Sequence, residues 1–311
     1  MIGRVPGGGT TQRGAAQAGV ALLLVVWLLA LLTVIAGEFM VSGRVKAAAE
    51  RNKRDDLSGL SLALAGYRAA IATLDDRIVG LGLDDEGRLL LRVRGQSEAV
   101  VAAADDVPLG AGTYSWRISD EDGLVNINTA PRQVLENLLR SCGVPLGVER
   151  DTVIDSILDW RDTNGDHRLN GAEDDYYQSL SPPYSSKDGP LDLIEELLLV
   201  RGVTPALYAG GEVDKRKVPG LRELLSPRAP EVPNAATAPQ EVLEACGLKR
   251  PVSPTESAAV SRHFVIVATG KPAGGGPPRT LRAVVFRKDA SDSRSFTLLS
   301  WNDMHLLEPT E

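Results

Sequence analysis

From Val20 to Ala36 the chain reads VALLLVVWLLALLTVIA, seventeen residues without a charge, and Gly37 still precedes the first acid, Glu38. At 1.5 Å rise per residue this run makes a helix about 26 Å long, the lower edge of what crosses a bilayer. A secretory signal peptide has a shorter apolar core, roughly 7 to 15 residues, ahead of its cleavage site. The run is too long for that description, although VIAG at 34–37 leaves cleavage there open. The leader before it carries Arg4 and Arg13 and no acid. Residues 1 to 19 are therefore expected to stay on the cytoplasmic side of a membrane crossed once, with the bulk of the chain outside the cytoplasm.

Beyond the span the apolar pattern changes period. Leu57, Leu60, Leu64, Tyr67, Ile71 and Leu74 recur at three and four residues, one stripe of a helix, and no proline interrupts 20–73. One helix of about 55 residues, roughly 80 Å, accounts for both halves, with Gly37, Gly43, Gly59 and Gly66 as weak points. A span joined by a linker to a separate amphipathic helix is the alternative.

Short alternating runs bounded by Gly and Asp predict strands at 89–94, 112–118, 263–269 and 281–286, with a last one at 296–301. The middle is helical and punctuated by caps. Thr129-Ala-Pro131 and Thr237-Ala-Pro239 each open a helix that runs out at Cys-Gly, at 142 and 246. Asp192 with Glu195 forms a capping-box pattern, and Thr204-Pro205 starts another helix. The expected fold class is α+β: a long N-terminal transmembrane helix packed on an antiparallel sheet, with a large all-α subdomain inserted at 125–250.

Asp162-Thr-Asn-Gly-Asp-His-Arg-Leu-Asn-Gly-Ala-Glu173 has the spacing of a twelve-residue EF-hand loop. Asp162, Asn164, Asp166, Asn170 and Glu173 supply side-chain oxygens at positions 1, 3, 5, 9 and 12, Arg168 its backbone carbonyl at 7, and Leu169 is expected to face the core. Ca2+ is a hard cation that takes six to eight oxygens, and closely spaced carboxylates need a cation between them. His167 stands where an EF-hand has glycine, so the path is expected to differ and to recruit Asp174 or Asp175. Asp159 and Asp188 are further candidates, for a second ion.

Other chemistry finds little support. Three histidines form no evident set, and neither a GxSxG context nor a P-loop lysine is present, so no catalytic residue is assigned and the chain is not expected to be an enzyme. VNINTA and LLRSCGV look like helix-hairpin-helix modules, but Asp120, Glu121 and Asp122 precede them and Asp151 and Asp155 follow. With a net charge of -7 and acids exceeding bases 41 to 34, no nucleic-acid partner is expected. Cys142 and Cys246 fit either one bridge or two thiols.

The basic leader ending in Gly19, directly before an apolar helix, resembles the N-terminus of type IV prepilins and of the pseudopilins of type II secretion. Carried over, a prepilin peptidase cuts between Gly19 and Val20 and the new amino group is methylated. Most such proteins have Glu as fifth mature residue; here it is Leu24, as in the protein K family, whose VNINTAP, GAEDDYY and GPLDLIEELLLVRGV stretches this chain resembles at 125, 171 and 189. The resemblance implies a pilin-like head with calcium in its inserted subdomain. It also implies a minor pseudopilin at the pseudopilus tip, initiating or capping the filament that exports folded proteins across the outer membrane. Implied partners are minor pseudopilins like proteins I and J, and the inner-membrane assembly platform. Divided accordingly, the chain has a leader at 1–19, a transmembrane segment at 20–41, a first head part at 42–124, the helical subdomain at 125–250 and final strands at 251–311. A membrane-anchored calcium-binding adhesin or substrate receptor is the alternative.

Overall fold

The computed structural model describes residues 12–74, 78–213, 215–251, 261–288 and 296–303, with side chains from residue 22 onward. Residues 1–11 of the leader and His305 lie outside the described residues, and Gly19 and Val20 are described as backbone alone. Helix α1 runs unbroken over Gln12–Thr73. From Leu22 it is long and apolar enough to cross a membrane. Its residues up to Leu57 form one compact unit; everything from Ser58 forms the second.

Within the second unit the last turns of α1 lie on antiparallel sheet. A three-stranded sheet is built from β1 (Ile78–Leu83), β2 (Leu89–Val93) and β3 (Val100–Val101). A five-stranded sheet has the order β12-β11-β10-β5-β4, with β4 at Ala103–Leu109, β5 at Gly112–Asp120, β10 at His263–Lys271, β11 at Arg279–Arg287 and β12 at Phe296–Asn302. Alternation sets the buried face: Leu89 and Leu91 from β2, Trp116 and Ile118 from β5, and Phe264, Ile266 and Ala268 from β10 enclose Ala70 of α1 and Leu74 just beyond its end. The two edges differ. β4 carries Asp105, Asp106 and Pro108 and a register shift between Ala104 and Val107, features that blunt an edge, whereas β12 has no charge.

The glycines of α1 do not interrupt it. A Cβ on Gly66 would stand 3.3 Å from that of Ala268, and one on Gly270 of β10 would overlap the Gly59 carbonyl and the Ala63 amide. Gly59, Gly66 and Gly270 therefore serve close approach of helix and sheet rather than flexibility.

Between β5 and β10 the chain builds a second core. Its elements are β6 (Val125–Asn126), α2 (Arg132–Ser141), α3 (Val148–Arg161), α4 (Asp174–Gln178), a 3-10 turn at Ile194–Leu199, α5 (Pro205–Ala209), β7 (Gly210–Val213), β8 (Arg216–Pro219), α6 (Leu221–Leu224), β9 (Leu225–Ser226) and α7 (Gln240–Cys246). Leu135, Leu138 and Leu139 of α2, Ile154 and Ile157 of α3, Tyr177, Leu197 and Val242 share its interior. β6 and β9 pair in parallel and β7 with β8 as a hairpin. Cys142 is buried and Cys246 half-buried, both as free thiols. Burial pushes the Cys142 thiol up to about 12, so its thiolate is not populated at neutral pH.

Several caps differ from expectation. Thr204 accepts the Leu207 amide at 3.1 Å as anticipated. Pro131 and Pro239, however, occupy the cap positions of α2 and α7 without a side-chain bond, leaving Thr129 and Thr237 outside the helices. Before the 3-10 turn it is Glu196, not Glu195, that reaches back, accepting the Asp192 and Leu193 amides at 2.8 and 2.9 Å.

Candidate functional site: an acidic loop and a buried joint

Asp159 is the last acid on the inner face of α3, and its side chain is fully buried. The chain leaves the helix at Asp162 and turns through stacked side-chain-to-backbone bonds, in which Asp162 accepts the Asn164 amide at 3.1 Å and Asn164 accepts the Asp166 amide at 2.9 Å. It returns under Asp159 at Gly171, where a Cβ would overlap the Asp159 carboxylate. The tightness of that return explains the glycine.

Arg168 departs from its expected place. Its Nη1 donates to Asp159 Oδ1 at 2.5 Å and to Asp162 Oδ2 at 2.6 Å, so it is the guanidinium that meets the acids, while the carbonyl accepts the Gly171 amide at 3.1 Å. Leu169, expected in the core, is 95% exposed. Without glycine at the sixth position the loop takes another path, in which Asn170 turns to Asp155, giving its amide to Oδ2 at 3.1 Å. Asp155 also binds Arg132. Asp175 is exposed and meets His167 Nε2 at 2.9 Å.

Glu173 closes the loop and is 4% exposed. Its Oε1 is buried without a hydrogen-bond partner. Burial, and then the charges of Asp159, Asp188 and Asp162, push its carboxyl up to about 7. Asp188 is brought in by the Gly189 amide, which donates to the Trp160 carbonyl at 3.4 Å. The Ser186 hydroxyl stands 2.7 Å from Asp188 Oδ1 and 2.9 Å from Asp174 Oδ1. Trp160 and Tyr177 wall the site edge to face at 5.1 Å, and Arg201 lies 4.6 Å over the Tyr176 ring while donating to the Gly171 carbonyl at 3.0 Å.

As these side chains stand, no three His, Cys, Asp or Glu groups among the described residues converge on one point. The orphaned Glu173 oxygen, within a set of acids that one guanidinium only partly offsets, is nevertheless what a hard, oxygen-seeking cation requires. Asp159, Asp162, Glu173 and Asp188 fit such an ion better than Asn170 or Asp175, whose polar atoms turn elsewhere.

A second polar cluster, not foreseen, joins the inserted subdomain to the sheet. Asp120 ends β5 and its Oδ2 accepts the hydroxyls of Thr237 and Ser261, each at 2.5 Å. Asp122 accepts the Arg262 amide at 2.5 Å and meets His263 Nδ1 at 2.7 Å, while Glu121 accepts the Ser226 hydroxyl at 2.8 Å. Three consecutive acids are the only trace of it in the sequence, and their partners lie 105 to 141 residues away.

Residues 116–210 match the model of a family described as type II secretion system protein K. A putative type II secretion system protein K of Escherichia coli K12 is 27% identical over 205 residues, covering 62% of this chain and 60% of that protein. The protein K of Klebsiella pneumoniae is 28% identical over 201 residues, with coverages of 62% and 60%. That of Aeromonas hydrophila is 30% identical over 214 residues, with coverages of 62% and 61%. The alignments thus span about three fifths of these relatives' length. Among solved structures, a chain from the GspK-GspI-GspJ complex of enterotoxigenic E. coli has a TM-score of 0.54 at 18% identity, with 84% of this chain and 99% of that one covered. At that identity the likeness is one of fold: a pilin-like head carrying an extra helical subdomain. In its family-model match, its sequence and its fold, this chain is homologous to members of the type II secretion protein K family.

Proposed function

We propose that the chain is a minor pseudopilin at the tip of a type II secretion pseudopilus, where it starts or caps the filament together with subunits resembling GspI and GspJ. The observation that carries this reading is the pilin-like fold with its extra subdomain, shared with a chain solved in complex with those two proteins. Leu24 supports it: the resemblance to type IV prepilins and pseudopilins implies that most of them use a carboxylate at this position to neutralise a neighbour's amino terminus, and a tip subunit has no neighbour above it. An amino terminus set against leucine in lipid would be left uncompensated. Co-purification with the I-like and J-like subunits tests the partnership. Labelling sheared filaments tests the position: about one copy per filament is expected, and copies along the shaft in numbers comparable with the major subunit would overturn it.

The chain would cross the inner membrane once, with its head in the periplasm. Arg44, Lys46, Arg51, Lys53 and Arg54 follow the span, outnumbering the leader's cations, so the orientation rests on prepilin-type processing at Gly19 rather than on charge counting.

The acidic loop would hold Ca2+ through Asp159, Asp162, Glu173 and Asp188, with Asp174 behind them through Ser186. The ion would neutralise carboxylates whose repulsion Arg168 offsets only in part, and so stiffen the loop. Calorimetric titration with Ca2+ tests this, and absence of binding at millimolar concentration would overturn it.

A further inference from the structure

Three arginines border the acidic loop, and they are differently committed. Arg201 donates to the Gly171 carbonyl at 3.0 Å. Arg161 donates to the Ile127 and Ala130 carbonyls, holding the turn before α2 against α3. Arg168 spends Nη1 on Asp159 and Asp162 together. Its side chain is 37% exposed, whereas that of Asp159 is 0% exposed, so the cation can swing toward solvent while the acid cannot. Swinging out need not move the loop backbone, because the Arg168 amide donates to Asp159 Oδ2 and its carbonyl accepts the Gly171 amide at 3.1 Å.

A single guanidinium offsets one charge, and Glu173 Oε1 is still left without a partner. A divalent ion would offset two charges and accept oxygens from several sides at once. The ion and the guanidinium therefore seek the same oxygens of Asp159 and Asp162, and both cannot have them.

We propose that Arg168 is a built-in competitor for the loop's cation, closing the site in its absence and setting the affinity by having to be displaced. This rests on the calcium reading above. Affinity is lowered by the fraction of molecules in which the arginine is in place, in the way a minority binding-competent state lowers any apparent affinity. The arginine thus makes the head less dependent on calcium for its integrity while making the loop respond over a higher range of ion concentration.

The test is calorimetric titration of Ca2+ into the full-length protein in detergent, comparing wild type with Arg168→Gln and Arg168→Lys, alongside thermal melts in chelator and in Ca2+. Arg168→Gln is expected to bind roughly tenfold more tightly and to melt lower than wild type in chelator, with the gap closing in Ca2+. Arg168→Lys, which keeps the charge without the fork, should fall between the two. Equal or weaker binding by Arg168→Gln, with wild type binding normally, would overturn the competitor and leave the calcium reading intact. If neither wild type nor either variant binds, the calcium reading itself fails and the competitor with it. Should Arg168→Gln prove unfolded in chelator, the Arg168→Lys titration decides alone, by tighter binding or not.

Discussion

The carboxylate of Asp120, at the end of β5, accepts the hydroxyl of Thr237, 117 residues later, at 2.5 Å and out of contact with bulk water. The same oxygen takes the Ser261 hydroxyl, so one buried acid gathers the end of the inserted subdomain and the chain leading into β10. Burial raises the Asp120 carboxyl from 3.8 to about 6, with Asp122 adding to the rise and the donors Ser261 and Thr237 opposing it. Its folded form therefore binds protons more tightly than its unfolded form. The stabilisation is full below about pH 4 and is lost as pH rises through 6, an effect of roughly 3 kcal/mol. Relative to Asp120→Asn, which does not titrate, wild type should lose about that much between pH 4 and 7 in urea unfolding. A difference independent of pH would refute it.

At the helix-sheet contact, Gly270 leaves no room for a side chain against Gly59 and Ala63. Gly270→Val should destabilise the head by at least 1 to 3 kcal/mol, the usual cost of overpacking, and lower its melting temperature by several degrees. Gly82→Ala, where nothing lies within 4 Å, is the control and should melt within a degree or two of wild type.

Chelation should lower the melting temperature of the protein, and Ca2+ should restore it. At a free concentration one hundred times the dissociation constant the gain is about 2.7 kcal/mol by mass action. Glu173→Ala should abolish this gain. Gly171→Ala should do so too, because its methyl group displaces the Asp159 carboxylate, and Asp175→Ala should not, its side chain being turned to His167.

Processing offers the simplest check on topology. Protein recovered from membranes should begin Val-Ala-Leu-Leu-Leu, and a bulky residue in place of Gly19 should leave the precursor uncut. An intact Met1, or a start beyond Gly37, would remove the basis for the membrane orientation.

Much of the architecture could be read from periodicity. The alternation in β2, β5, β10 and β11 is a local signal, because burial of one face repeats within a few residues. The stripe from Leu57 to Leu74 marks the helix but not its innermost face, since Leu57 is 54% exposed and Gly59, Leu62, Ala63, Gly66 and Ala70 are the buried positions of α1. β4 escaped notice because AADDVPL reads as a turn: an edge strand is defended by the same acids and proline that hide it. The acidic loop was legible from spacing, but spacing cannot say which way Arg168 or Leu169 points once His167 replaces the expected glycine. Asp120, Glu121 and Asp122 entered the sequence reading only as acids that argue against a nucleic-acid partner. Their donors Thr237, Ser226 and Ser261 become neighbours only after the subdomain has folded, and a sequence window holds no trace of that.

The inserted subdomain has a consequence for the order of folding. Asp120 stands opposite Phe264 in the β5-β10 ladder, so its two ends sit as close as those of a tight turn. If the intervening chain were disordered, closing a loop of roughly 140 residues would cost about 3 kcal/mol more than closing one of four. A subdomain already condensed around its own core brings its ends together beforehand and removes most of that cost. On that route the sheet of the head would be completed after the helical core, from strands that precede and follow it in the chain. By the same reasoning, excising the subdomain and joining Asp120 to His263 through a short turn leaves a sheet with shorter-range contacts, one that should assemble faster than the natural head.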